Sequence, residues 1–161
     1  MIYSTGETTA ITRRVRAILL AESRCVLFIK RLKPNGTPYW VAPGGGVEEF
    51  DDSLFQTLAR ELREELGATA KVLRPAFVLR HQMGGKNLEE HFFICKLENL
   101  DLSLRSGPEF ADPKRGLYLP DFVPLEIDAI RSLNIKTEEL RDWLLSHLDE
   151  LQQMAVSVDR V

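Results

Sequence analysis

Three carboxylates, Glu61, Glu64 and Glu65, are crowded into five positions of the string Arg60-Glu61-Leu62-Arg63-Glu64-Glu65-Leu66-Gly67-Ala68. At about 100° per residue, Glu61 and Glu65 fall one helical turn apart, and Glu64 sits roughly a quarter-turn around from Glu65. Leu58, Leu62 and Leu66 recur every four residues on another side, so the helix predicted here buries one face and offers carboxylates on the other. Like charges at this spacing repel by a few tenths of ~1 kcal/mol per pair. They also lie toward the helix C-terminus, where the macrodipole disfavours anions. A divalent cation removes both penalties, and carboxylate oxygens are what hard ions such as Mg²⁺ or Mn²⁺ take as ligands. A solvated acidic face, partly neutralised by Arg60 and Arg63, is the competing reading. Just upstream, Pro43-Gly44-Gly45-Gly46 sets bare backbone before the acidic helix, and glycine lets the main chain approach a ligand closely.

The elements that must position these residues follow from the pattern. Residues 12–20 and 24–30 read as strands, with a turn at Glu22-Ser23 between them. Lys33-Pro34-Asn35-Gly36 is a turn and Tyr39 to Ala42 a short strand, stopped by the proline and glycines. From Ser53 to Leu66 the period is helical, with Phe55 and Ala59 expected beside the leucine stripe, Asp52 or Ser53 as the cap and Gly67 as the left-handed stop. Residues 71–81 and 91–97 read as a long hairpin turning at Met83-Gly84-Gly85-Lys86. Residues 101–115 read as loop, and 117–125 as a strand whose Pro120 and Pro124 put it near an edge. One last helix is expected from Thr137 to about Gln153. Strands interleaved with helices argue for an α/β or α+β sandwich.

At 161 residues, with 44 % apolar and 28 % charged side chains, the chain fits one domain over 1–161, with roughly ten N-terminal and eight C-terminal residues loosely ordered. A net charge of −3 argues against a protein that grips nucleic acid through a broad basic face, and no stable nucleic-acid partner is expected. A nucleotide substrate stays open, because a bound metal supplies positive charge locally. Cys25 and Cys95 read as buried free thiols, which suits a cytoplasmic setting. No secretory signal and no run long enough to span a bilayer is visible, so no membrane partner is expected. A homodimer through the last helix is left open. His81, His91 and His147 lack ligand spacing. Lys30, Arg31 and Arg80 could reach phosphates but read first as solvated strand-end cations, and Trp40, Phe93 and Tyr118 could stack on a base but read first as core.

Taken together, glycine loop, interval, Arg-Glu step, Glu-Glu pair and closing glycine resemble the Nudix (MutT-like) hydrolases. Their box runs G, five residues, E, seven residues, then R-E-U-x-E-E-x-G-U, with U aliphatic. The helical half stands here from Arg60 to Gly67, followed by the small Ala68. Such a string arises by chance in about one chain in 100,000 of this length. The first half departs. Counting back from Arg60 sets Gly46 at the opening glycine and Asp52 at the box acid, but Pro43–Asp52 is stretched by one residue, so either Asp51 or Asp52 takes that place.

The resemblance implies an α/β/α sandwich around a mixed sheet, with the box as loop–helix–loop. It implies hydrolysis of a nucleoside diphosphate linked to another group, such as ADP-ribose or a nucleoside triphosphate, with Mg²⁺ or Mn²⁺ as cofactor. Glu61, Glu64 and Glu65 would be the metal ligands, completed by a main-chain carbonyl of Gly44 or Gly45. Glu64 or Glu65 would help the attacking water. Arg60 would serve catalysis by holding a box acid rather than touching substrate, and Gly44, Gly46, Asp52 and Gly67 would support the box. Glu109 is the candidate base from a later loop, with Glu89 or Glu90 behind it. A Nudix-fold sensor that binds a nucleotide without cleaving it is the alternative, and the three retained glutamates argue against it.

Overall fold

The computed structural model describes residues 10–156, so the sequence readings for the N-terminal segment and for the last residues from 157 on lie outside the described residues. Strand β1 (Ile11–Ala21) is the hub. On one side it runs parallel to β6 (Lys86–Leu100). On the other its C-terminal end pairs antiparallel with β2 (Cys25–Leu32), and its N-terminal end with β4 (Gly44–Gly46). Strand β2 leads on to β3 (Tyr39–Val41), whose outer neighbour is β8 (Ile135–Lys136). Strand β5 (Ala68–Met83) pairs with β6 across a turn in which Gly84 and Gly85 both have positive φ, the conformation a two-residue hairpin demands. Strand β7 (Leu117–Pro124) lies on the far side of β2 and, among the described residues, pairs with nothing else, so its prolines do stand at an edge.

Alternation along β1 divides the core. Val15, Ala17 and Leu19 face helix α1 (Leu54–Leu66), meeting Leu58, Leu62 and Leu66. Ile18 and Leu20 face the opposite layer, built from α2 (Ile127–Arg131), α3 (Glu138–Ser146) and α4 (Leu148–Val156) through Ile130, Leu140, Leu144, Leu148 and Leu151. Two helical layers on a mixed sheet are the expected α/β/α sandwich of α+β class.

Four readings need correction. The buried stripe of α1 is narrower than expected: Phe55 is 54 % exposed and Ala59 is exposed, while the polar Thr57 is fully buried because its hydroxyl donates to Asp51 Oδ2 and the Ser53 carbonyl. Gly44–Gly46 is a strand rather than open loop; Gly44, at φ 150°, lies so close to β1 that a Cβ would overlap the Val15 carbonyl. The last helix breaks at His147, whose Nδ1 bonds the Trp143 carbonyl at 2.8 Å and whose ring stacks on Trp143. The 101–115 loop contains three short 3₁₀ turns, at Leu102–Leu104, Pro108–Ala111 and Pro113–Arg115. Among the described residues, no helix is long and apolar enough to cross a membrane.

The α1 stripe sets a stability contrast. Leu62→Ala should cost about 2–5 kcal/mol through cavity formation, whereas Phe55→Ala should lose only the edge of an aromatic pair with Phe93, about 0.5–1.5 kcal/mol. Urea melts followed by tryptophan fluorescence measure both.

Candidate active site

Helix α1 starts where the Ser53 hydroxyl accepts from the Gln56 N–H, and ends where Gly67, at φ 60°, returns its N–H to the carbonyls of Arg63 and Leu62. A Cβ on Gly67 would overlap the Asp101 carbonyl, so the glycine serves both the cap and the close approach of the next segment. With both ends fixed, the charged face of α1 lies against β4.

Arg60 joins helix to loop. Its guanidinium grips Asp51 in a fork, Nη2 to Oδ2 at 2.9 Å and Nε to Oδ1 at 3.2 Å, and donates to the Gly46 carbonyl at 3.0 Å. Its Nη1 donates to Glu61 Oε1 at 3.2 Å and Glu64 Oε2 at 3.4 Å. Asp51 Oδ2 also accepts from the Glu48 N–H and the Thr57 hydroxyl, both at 2.9 Å. The Arg60 hydrogen bonds hold the Asp51 carboxyl well below the usual carboxylate range, and the same pairing raises the guanidinium. Asp52 is exposed and makes no contact with Arg60: its backbone N–H donates to Gln56. Of the two acids left open by the stretched loop, Asp51 occupies the supporting position, and the support read at Asp52 moves one residue back.

The glutamates divide between two surroundings. Glu61 and Glu64 sit on the Arg60 side. A Cβ on Gly45 would overlap the Glu61 carboxylate, so loop backbone and carboxylate touch only because that residue is glycine. Glu65 turns inward, accepting from the Gly44 N–H at 2.9 Å. Burial pushes its carboxyl up to about 8 against the pull of Arg16 and the Gly44 N–H, and burial raises Glu61 as well. Arg16 braces the same loop, donating from Nη1 to the Ala42 carbonyl at 3.1 Å and the Gly44 carbonyl at 3.3 Å. Arg105 closes the other side, from Nε to the Glu65 carbonyl at 2.7 Å and from Nη2 to the Tyr118 carbonyl at 2.8 Å. The charge of Glu109 is felt at both Glu65 and Arg105, which brings the late-loop acid to the end of α1. Glu89 is not near this group. It bonds Arg13, Arg80 and His91 instead.

Glu65 opens into a cleft of about 300 Å³ lined by Arg14, Arg16, Arg31, His81, Glu90 and Lys136, among others. Arg31 is not the solvated cation expected. It is 9 % exposed, bonds the carbonyls of Leu117 and Arg115 and the Tyr39 hydroxyl, and lies 3.5 Å above the Tyr118 ring. His81 and Glu90 belong to the cleft through the β5–β6 register, a long-range pairing that residue spacing does not announce.

The donor set suits a hard divalent ion: carboxylate oxygens, a glycine backbone, and two carboxyls, those of Glu61 and Glu65, that burial raises despite the arginines beside them. As they stand, no three His, Cys, Asp or Glu side chains among the described residues converge as a ligand group; Arg60 Nη1 takes Glu61 and Glu64 oxygens, and the Gly44 N–H takes Glu65.

The sequence from residue 10 to 126 matches the NUDIX domain model. The chain belongs to the Nudix family. The helical half of the family's box stands from Arg60 to Gly67, with Ala68 in place of its last, aliphatic letter. No curated protein matches the chain. Among solved structures, it is similar to a NUDIX hydrolase from Nitrosomonas europaea, with 16 % identity, 90 % of each chain covered and a TM-score of 0.66. The MutT protein from Methanosarcina mazei Go1 matches at 22 % identity, over 89 % of this chain and 96 % of that one, with a TM-score of 0.64. A UDP-X diphosphatase matches at 21 % identity, over 94 % of this chain and 68 % of that one, with a TM-score of 0.63. Likeness at these identities supports the fold.

Two outcomes follow from the Asp51–Arg60 fork. Asp51→Asn should weaken Mn²⁺ binding about 10–100-fold, while Asp52→Asn leaves it unchanged, as isothermal titration of the two variants measures. Because the folded pKa of Asp51 is depressed, its stabilising contribution is complete above its unfolded value near ~3.9 and is lost as pH falls through the folded value. The parent should therefore lose stability in acid more steeply than Asp51→Asn, with no difference in slope between about pH 5 and 8; denaturant midpoints across the range report it.

Proposed function

We propose that this chain hydrolyses a pyrophosphate bond in a nucleoside diphosphate linked to a further group, a nucleotide sugar such as ADP-ribose or a nucleoside triphosphate, using Mg²⁺ or Mn²⁺. The observation that carries the reading is the Glu65 carboxylate, desolvated against glycine backbone at the mouth of an arginine-lined cleft. A polyanion needs positive charge along its path, and Arg14, Arg31 and Lys136 supply it there. The cation would be held by Glu61, Glu64 and Glu65 with a carbonyl of Gly44 or Gly45, and when bound it supplies Lewis-acid stabilisation of phosphate oxygens and a more acidic attacking water.

The protein's own groups have separate tasks in this account. Arg60 keeps Glu61, Glu64 and the loop in register through Asp51 and Gly46, without touching substrate. The Gly44 N–H orients Glu65, and Arg16 braces the Gly44 carbonyl. Glu65 accepts the proton of the water that attacks phosphorus, with Glu64 the next candidate. Glu109, whose charge acts on Glu65, would be a further base, and Arg105 ties its loop to the end of α1. The neighbouring UDP-X diphosphatase makes nucleotide sugars a natural first group to test.

The deciding experiment incubates the protein with Mg²⁺ or Mn²⁺ and a panel of nucleoside triphosphates, nucleotide sugars and dinucleotides, with the products identified by mass. Turnover of at least one substrate is expected, with kcat lowered about 10²–10⁴-fold in Glu65→Gln and the variant's far-ultraviolet spectrum unchanged. Saturable nucleotide binding without phosphate release would favour the non-hydrolysing sensor. A Glu65→Gln variant as fast as the parent would remove Glu65 from its role.

A further inference from the structure

Three polar groups in the cleft lack the hydrogen bonds their burial calls for. Glu90 is 6 % exposed, and its carboxylate makes only loose ion pairs, Oε2 with Arg16 Nε at 3.7 Å and Oε1 with His81 Nε2 at 3.5 Å. His81 Nε2 is buried and makes no hydrogen bond with any described residue. Thr137 Oγ1 is in the same condition, and the three residues line the same cleft as Glu65. Buried polar atoms are almost always satisfied, because leaving one unmade costs about 1–3 kcal/mol. Two atoms without a hydrogen bond among the described residues, one of them in only a 3.5 Å ion pair with Glu90, and a carboxylate held by loose ion pairs, all on one cavity, are what a site looks like when its partner is a ligand.

The fold gives the cluster its place. Glu90 on β6 pairs with Arg14 on β1 and Leu79 on β5, and His81 stands two residues along β5 on the same face. Thr137 comes from the opposite wall, just after β8. One guanidinium, that of Arg16, reaches both Glu90 and the Gly44 carbonyl, so the cluster lies next to the catalytic loop. Neither Glu90 nor Thr137 suits a phosphate: a carboxylate repels it, and a single hydroxyl holds it weakly. The cations that do suit phosphate, Arg14, Arg31 and Lys136, line the cleft beside them.

We infer that Glu90, His81 and Thr137 form the specificity subsite of the cleft, reading a neutral group of the substrate that presents N–H or O–H donors to the Glu90 carboxylate and a mixed donor–acceptor edge to His81 and Thr137. A nucleobase edge and a sugar carrying vicinal hydroxyls share that chemistry. The inference rests on the proposed nucleotide substrate and adds what selects it. A site built around hydrogen bonds rejects an analogue lacking them far more strongly than an apolar pocket rejects a misfit, because its own buried groups are then left unpaired.

Binding without metal separates this inference from the hydrolytic reading. Calorimetry on the full chain would use the four common nucleoside monophosphates, one 2′-deoxy counterpart and ribose 5-phosphate. The parent should prefer one head group by about 10-fold or more. A preference that survives in the deoxy compound assigns the subsite to the base, and one that follows the hydroxyls assigns it to the sugar. Thr137→Val, near-isosteric and uncharged, and Glu90→Gln should each reduce that preference to about threefold or less, with weaker binding of the preferred ligand. Should Glu90→Gln fail to fold because Arg16 loses its counter-charge, Thr137→Val and His81→Phe carry the test. A parent that binds all these phosphates alike, or Thr137→Val and His81→Phe variants that keep its full preference, would overturn the subsite whether or not the protein proves to be a hydrolase.

Discussion

The site depends on one side chain holding two pieces of chain together. Arg60 lies on α1 and reaches across to Asp51 and the Gly46 carbonyl, so it ties the glycine strand to the acidic helix. Its forked bond to Asp51 uses the planar geometry that only arginine offers, and the Glu48 N–H and Thr57 hydroxyl complete the carboxylate's remaining acceptor sites. That is why Thr57, a polar residue, is buried in the helix. The same guanidinium also touches Glu61 and Glu64 through Nη1, so it neutralises two of the carboxylates that a cation would claim. An ion bound there would compete with Arg60 Nη1 for those oxygens, whereas the fork to Asp51 uses Nη2 and Nε.

Burial divides the work among the three glutamates. Glu61 and Glu64 share Arg60, whereas Glu65 is drawn between the Gly44 N–H and the charge of Arg16. The close approach at Gly44 and Gly45 is a steric matter as much as a conformational one: any side chain there would strike Val15 or Glu61. The cleft then continues from Glu65 past Arg16 to Glu90 and His81.

Much of this was legible in the sequence, for definite reasons. The helix announced itself because Leu58, Leu62 and Leu66 keep a strict period, and Gly67 ended it because a left-handed stop favours glycine. The β5–β6 hairpin was visible from its Gly84-Gly85 turn, though each strand runs longer than its apolar stretch suggested. Strand β4 was hidden because three glycines carry no alternation to read. Asp51 and Asp52 were indistinguishable because the choice between them is made by Thr57 and Arg60 in three dimensions. Phe55 was misread because an apolar side chain beside a stripe is not thereby inside it. His81 was missed as a cleft residue, and its grouping with Arg31 and Glu90 was not visible, because strand pairing rather than local spacing brings them together.

The most direct measurement is the anomalous scattering of manganese in crystals of the protein soaked with Mn²⁺. The account requires a peak within coordination distance of carboxylate oxygens from Glu61, Glu64 and Glu65 and of a carbonyl from Gly44 or Gly45, at about 2.0–2.6 Å, with Asp51 still bound to Arg60. Manganese found only elsewhere, with the three carboxylates turned into bulk solvent, would contradict it.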